Sequence, residues 1–251
     1  MRIIAVMNQK GGVGKTTTTL NLAHALALAD RQVLALDMDP QAQLAAGLGV
    51  RDGIEKGLDA VLLENAALRD VVVEPRARLG LAPAGPRLAE LEFAAGGGAQ
   101  RGWRLREAVN AGANGEDLVL IDAPPSAGLL AMNALIAANE VLVPVTGDFL
   151  ALHGVSRFMQ VLDYIDESLG RETRVWIALT RFNERRRLAR EVRDKLVEYF
   201  PGCVLATPIR ECAALAESPG HGETIFEYRK NGNGAKDYRA LADDLLAERT
   251  L

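Results

Sequence analysis

The sequence predicts an α/β fold, a doubly wound and mostly parallel sheet with helices on both faces. Three observations lead there. Short Val/Ile/Leu-rich runs alternate along the chain with longer segments of helical periodicity, the pattern of repeated strand–helix–strand units. The apolar runs are nearly continuous, as strands covered on both sides require. A glycine-rich loop and two acidic turns directly follow three of these runs, at the carboxyl edge where open α/β sheets bind ligands.

The first run, 3–7, enters the loop Lys10-Gly-Gly-Val-Gly-Lys-Thr-Thr17, and a helical pattern over 15–29 follows. A strand over 32–37 ends on Asp37-Met-Asp39-Pro40-Gln41, and a helical pattern over 54–63 leads to a strand over 79–82. Helical patterns at 86–93 and 101–111 precede the strand 117–122, which ends on Asp122-Ala-Pro-Pro125. Helices over 128–138, 151–169, 185–199 and 235–249 then alternate with strands over 140–145, 174–180 and 203–206. The low-complexity stretch 94–99 reads as a flexible loop and not a boundary, so residues 1–251 are expected to form a single domain. Lys230-Asn-Gly-Asn-Gly234 reads as the opening turn of the last helix.

An apolar content of 49% supplies a sizeable core, and a formal net charge of −4 means that any nucleic-acid binding needs a local basic patch. No run reaches the roughly 18 apolar residues of a membrane span. Two cysteines, Cys203 and Cys212, without a C-x-x-C pair, read as buried small hydrophobes in a reducing cytoplasm. The chain begins at its first strand, with no leader expected.

A glycine loop between a strand and a helix cradles phosphate, because unpaired backbone N–H groups and the helix dipole point at it. Gly11, Gly12, Val13, Gly14 and Thr17 would form the cradle, Lys15 would reach the β/γ-phosphates, and the Thr16 hydroxyl would bind Mg²⁺. The first glycine of the general P-loop pattern is missing, and a second lysine, Lys10, stands five residues before Lys15. Asp122 has the position of a carboxylate that completes the metal site, and Asp39 is placed to orient an attacking water.

With D-x-D-P-Q and the apolar-D-x-P-P turn, this loop resembles the deviant-Walker-A ATPases, and within them the ParA/Soj partition proteins. The resemblance extends through Pro144-Val-Thr, Leu152-His-Gly-Val, Ile209-Arg-Glu and Leu215-Ala-Glu-Ser-Pro. It implies ATP and Mg²⁺ as cofactors and an ATP-dependent sandwich homodimer in which Lys10 crosses to the partner's phosphates. Lys10, Lys15 and Asp39 would then be catalytic. Thr180-Arg181-Phe-Asn183 resembles the segment that contacts adenine, and the preference for ATP over GTP comes from the resemblance alone.

Arg181 to Lys195 holds seven cations against three acidic residues. Arg186, Arg190 and Arg193 recur at helical spacing, a face able to hold phosphates without reading sequence. The structural alternative is a solvated helix face with Glu–Arg pairs. Family resemblance implies nonspecific nucleoid binding. Soj-like relatives carry an arginine where this chain has Ala213 and Ala214, so the expected DNA surface comprises Arg185, Arg186, Arg187, Arg190, Arg193, Arg210, Arg229 and Lys230. MinD-type relatives end in a basic membrane helix, whereas this tail carries Asp243, Asp244 and Glu248, which repel anionic lipid. Nitrogenase-iron-protein relatives need cluster cysteines near the switch segments, and larger plasmid ParA proteins add an N-terminal DNA-binding domain. Two cargoes stay open: a chromosome or plasmid with a ParB-like partner, or a protein assembly such as a chemotaxis cluster or carboxysome with its own adaptor.

Overall fold

The computed structural model describes residues 1–51, 53–93 and 98–251. Among them β1 (Arg2–Val6), β2 (Val33–Asp37), β3 (Val73–Arg76), β4 (Leu79–Ala82), β5 (Leu118–Asp122), β6 (Glu140–Thr146) and β7 (Arg174–Thr180) form one sheet, in the order β3-β4-β2-β5-β1-β6-β7. Every pairing is parallel except that of β3 with β4. The helices are α1 (Lys15–Leu28), α2 (Gln43–Gly47), α3 (Leu58–Glu64), α4 (Glu90–Phe93), α5 (Arg104–Gly112), α6 (Leu129–Ala137), α7 (Phe149–Leu169), α8 (Arg187–Tyr199), α9 (Ala213–Glu217), α10 (Ile225–Tyr228) and α11 (Asn233–Ala247).

Alternate side chains of each buried strand feed two separate cores. Ile3 and Ala5 of β1 pack with Leu58, Leu105, Leu130, Val155 and Val192, from α3, α5, α6, α7 and α8. Ile4 and Val6 pack with Leu22, Leu44, Leu215, Ile225 and Leu241, from α1, α2, α9, α10 and α11. This double burial is why the strands read as continuous apolar runs. α8 shows the helical counterpart: it buries Ala189, Val192 and Leu196 and leaves its charged residues outside.

Several elements differ from the sequence expectation. β3 was not expected, because it carries Pro75 and its Val73 and Glu74 are exposed; proline is tolerated only at such an edge. Arg78, with φ of 62°, makes the tight return into β4. Residues 203–206 form no full strand: Val204 makes an isolated bridge to Ile177 of β7, and Leu205 one to Thr250. Pro201 and Pro208 bracket this stretch and limit its pairing. The helices expected over 54–63 and 86–93 begin late, at Leu58 and Glu90. α2, α9 and α10 are too short to show periodicity, although α10 carries a full capping box between Thr224 and Glu227.

Of the expected loop over 94–99, residues 94–97 lie outside the described residues, and Gly98–Trp103 is a 3₁₀ helix. The last helix opens as expected, with Gly232 as its N-cap. Leu241 and Leu245 of α11 face the core. Cys203 and Cys212 are free but only partly buried, because both sit on the irregular segment beyond β7. No helix among the described residues is long and apolar enough to cross a membrane.

Candidate nucleotide-binding site

Strand order assembles the site. β5 lies between β1 and β2, with Val6 and Asp37 both in register with Asp122. The loop after β1 and the acidic turns after β2 and β5 therefore emerge side by side. α1 starts directly at Lys15, and its N-cap, Gly14, makes no side-chain cap, so the first-turn N–H groups are left for a ligand. Gly12 and Gly14 have φ of 74° and 88°, a backbone that a side chain would strain. A Cβ built on Gly11, Gly12 or Gly14 meets nothing within 4 Å, so the loop borders open space. Its back is pinned by the Thr180 hydroxyl, which donates to the Val13 carbonyl at 2.8 Å.

Lys15 is 8% exposed, and its Nζ makes one long contact, 3.5 Å, to the Lys10 carbonyl. Burial lowers its pKa, against the opposing pull of Asp122 and Asp39. Asp122 is 1% exposed. Its Oδ1 accepts the Thr19 hydroxyl at 3.1 Å, while the buried Oδ2 has no partner. Burial pushes the Asp122 carboxyl up to about 7, against the hydroxyls of Thr16 and Thr19. An under-bonded ammonium and an orphaned carboxylate oxygen beside an open glycine cradle fit Mg²⁺ and a polyphosphate. Asp39 is partly exposed and accepts the Gln41 N–H at 3.0 Å.

Asp37, which the sequence marks only as the end of a strand, has a structural role. It is fully buried and accepts the N–H groups of Asp39 at 3.3 Å and Ala45 at 3.1 Å, tying the acidic turn to α2. Burial, reinforced by Asp122, pushes its carboxyl from 3.8 up to about 8. Between those values the folded chain holds a proton that the unfolded chain has released, so this group's contribution to stability falls as pH rises. Asp37→Asn, which cannot ionise, is expected to gain in melting temperature relative to the parent as pH rises from about 4 to 8. Melting curves without nucleotide or metal check this, and a constant offset across that window contradicts it.

Lys10 lies on the outer side of the loop. Its half-exposed ammonium is 2.6 Å from Asp148 Oδ2, which also accepts the Thr146 hydroxyl at 2.5 Å. Burial works upward on Asp148, but Lys10 and Thr146 hold its carboxyl below the usual carboxylate range. Lys10 and Asp148 line a cleft of about 310 Å³ with Arg181 and Arg186.

On the other side of the loop, a cavity of about 440 Å³ runs from Gly12, Gly14 and Thr17 to Arg181 and the 209–216 segment. Arg181 has φ of 48°, a left-handed backbone that is uncommon outside glycine. Its guanidinium stands 3.6 Å from Glu211.

The expected DNA-contacting residues are divided. Arg187 pairs with Glu191 at 2.7 Å, Arg193 with Asp194 at 2.8 Å and Arg186 with Glu211 at 3.6 Å. Arg190 donates to the Glu184 carbonyl at 2.5 Å, and Arg185 is exposed. Arg229 and Lys230 are also exposed but follow α10, on the opposite face of the sheet from α8. Arg210 is held by Asp237 at 2.6 Å and lines the nucleotide-side cavity.

A glycine cradle at a helix start, between acidic turns of neighbouring parallel strands, defines a P-loop nucleotide-binding protein, here with a second loop lysine. The AAA domain family (AAA_31) matches residues 1–175. The chain is 41% identical to the chromosome-partitioning ATPase Soj of Thermus thermophilus, across 98% of this chain and 96% of the relative. It is 36% identical to the chromosome partitioning protein ParA of Myxococcus xanthus, across 99% and 89%. A crystal structure described as cobyrinic acid a,c-diamide synthase of Mycobacterium smegmatis, with ADP and magnesium bound, superposes with a TM-score of 0.80 at 31% identity, across 98% and 94% of the two chains. The chain belongs to the ParA/Soj group of P-loop ATPases within the AAA domain family.

Proposed function

We propose that residues 1–251 form one ATPase domain that binds ATP and Mg²⁺, pairs into a sandwich dimer, settles on nucleoid DNA without sequence preference and releases after stimulated hydrolysis. The observation that carries this reading is the contrast between two lysines of one loop. Lys15 is buried against Asp122, whereas the Lys10 ammonium stands outside the cradle, half exposed. One lysine serves the phosphates of its own subunit, and the other, exchanging its exposed pair with Asp148, neutralises charge developing in a partner's site. Thr16 and Asp122 hold the metal, which when bound shields the β- and γ-phosphates. Asp39 orients the attacking water. Size-exclusion chromatography with ATP and Mg²⁺ against ADP tests the switch. A dimer is expected only with ATP, and a monomer in both states rejects the proposal.

The cargo proposed is chromosome or plasmid DNA, through a ParB-like partner that stimulates turnover in a cytoplasmic, nucleoid-bound cycle. Relatives of matching length that are described as chromosome partitioning proteins support this choice. An orphan role in positioning a protein assembly uses the same site with a different adaptor. Fluorescent chromosome origins followed in a deletion strain separate the two. The likeness to the diamide synthase favours a second reading, amide ligation at the same ATP site. ATP turnover that depends on a carboxylate acceptor and an amine donor, and not on DNA, would support it.

For DNA, the surface formed by Arg187, Arg190 and Arg193 of α8 and by Arg185 just before it is the proposed contact, with Arg186 at its edge. Replacing Arg186, Arg187 and Arg190 by glutamate is expected to weaken retention on nonspecific duplex at least about tenfold at low salt and to flatten its salt dependence. Filter binding across a salt series reads both effects, and an unchanged slope excludes this surface.

A further inference from the structure

α11 contributes Tyr238 to the lining of the cavity beside the loop, and two adjacent residues of that helix fix opposite walls. Tyr238 is buried, and its hydroxyl lies 3.2 Å from that of Thr18, in the first turn of α1. Asp237, 5% exposed, grips the opposite wall. Its Oδ2 accepts the backbone N–H of Arg210 at 3.0 Å. Its two oxygens receive the Arg210 guanidinium at 2.6 Å from Nη2 and at 3.0 and 3.1 Å from Nε. The same segment is stitched to the end of β7, where Phe182 donates to the Ile209 carbonyl at 2.9 Å and Glu211 donates to that of Phe182 at 3.2 Å. One carboxylate thus fixes both the main chain and the side chain of Arg210. The arginine still keeps about half its side chain (48%) open and lines the cavity that starts at Gly12, Gly14 and Thr17.

We propose that Arg210 is the stacking wall for the purine of the bound nucleotide, and that Asp237 is the positioning residue that holds its guanidinium plane in place. A guanidinium held by a two-oxygen fork is planar and pre-organised, so stacking an aromatic ring on it costs little side-chain entropy. A base there lies on the α1 side of the loop, with its phosphates at the glycines and Lys15. A lysine at 210 keeps the charge but has neither the plane nor the fork. The inference rests on the nucleotide assignment above and adds the group that contacts the base.

The test separates base from phosphate. Competition against a fluorescent ATP analogue is measured for Mg-ATP and for Mg-tripolyphosphate, which carries the phosphates without a base. Wild type is expected to prefer ATP. Arg210→Ala, Arg210→Lys and Asp237→Asn are each expected to lower ATP affinity about tenfold and to leave tripolyphosphate binding within about twofold. The Arg210→Ala/Asp237→Asn double variant is expected to lose no more than Arg210→Ala alone, because the carboxylate acts through the arginine. Arg210→Ala alters a half-exposed side chain and keeps the test available if Asp237→Asn folds poorly. Equal weakening of both ligands, wild-type ATP affinity in Arg210→Lys, or unchanged ATP affinity in all the variants overturns the proposal. Wild type that binds neither ligand removes the nucleotide assignment itself, a result distinct from the others.

Discussion

Alanine at Lys15 is expected to remove ATP turnover and the thermal stabilisation that ATP confers, while leaving the nucleotide-free protein at least as stable as the parent. The two halves of that expectation have one cause. In the free protein the ammonium is buried and depressed in pKa by that burial, the pull of Asp122 and Asp39 offsets this only in part, and its hydrogen bonding is the long contact to the Lys10 carbonyl. A desolvated charge with so little compensation is a burden on the fold, and its removal relieves one. With nucleotide bound, the same charge meets phosphate oxygens, and a charge-assisted hydrogen bond there contributes about 1.5–3 kcal/mol. Affinity should drop roughly 10- to 100-fold, and turnover further, because charge grows on the transferred phosphoryl group. Melting curves with and without Mg-ATP read both parts at once, since only a bound ligand shifts the transition. A Lys15→Ala variant that keeps the ATP-induced shift would disprove the assignment of this lysine.

Lys10→Ala should separate binding from assembly. Lys10 is outside the cradle and its ammonium is held by Asp148, so its loss is expected to change ATP affinity by no more than about threefold, as for a half-exposed ion pair. The ATP-dependent dimer should disappear, and with it stimulated turnover and DNA retention. Sedimentation of Lys10→Ala with saturating Mg-ATP measures this directly. A dimer of undiminished strength would show that the second lysine does not cross between subunits. Lys15→Ala and Lys10→Ala should thus fail at different steps although the two residues share one loop.

Much of this architecture was legible in the sequence because its signals are local. The glycines, Lys15 and Thr16 sit within one short motif. Asp122 ends an apolar run followed by two prolines, and the double burial of the strands shows in their composition. Other features rest on pairs that only the fold creates. Asp148 holds Lys10 across 138 positions, and Thr180 reaches Val13 across 167. Asp237 and Arg210 are 27 apart, on elements with no shared period. The basic stretch from Arg185 to Arg193 was visible as charge, and the Arg187–Glu191 pair stands at the helical spacing that the Glu–Arg alternative requires, whereas the pairing of Arg186 with Glu211 joins segments that only the fold brings together. β3 escaped for the opposite reason: its exposed residues and proline look like a loop, and only its antiparallel hydrogen bonds to β4 make it a strand.

The register of Asp122 with Val6 and with Asp37 also bears on how the chain is made. The loop that defines the site is synthesised before β5, yet the carboxylate beside it arrives only with that strand, which must insert between two strands already present. Until that long closure is complete, the glycine loop has a lysine but no acidic neighbour on β5, and β1 and β2 have unpaired edges. Such edges are the exposed, association-prone feature of a slowly closing parallel sheet. Competence to hold a metal-bound nucleotide is therefore acquired in the same event that removes these edges. A growing chain that stops short of β5 carries the recognisable motif without the site.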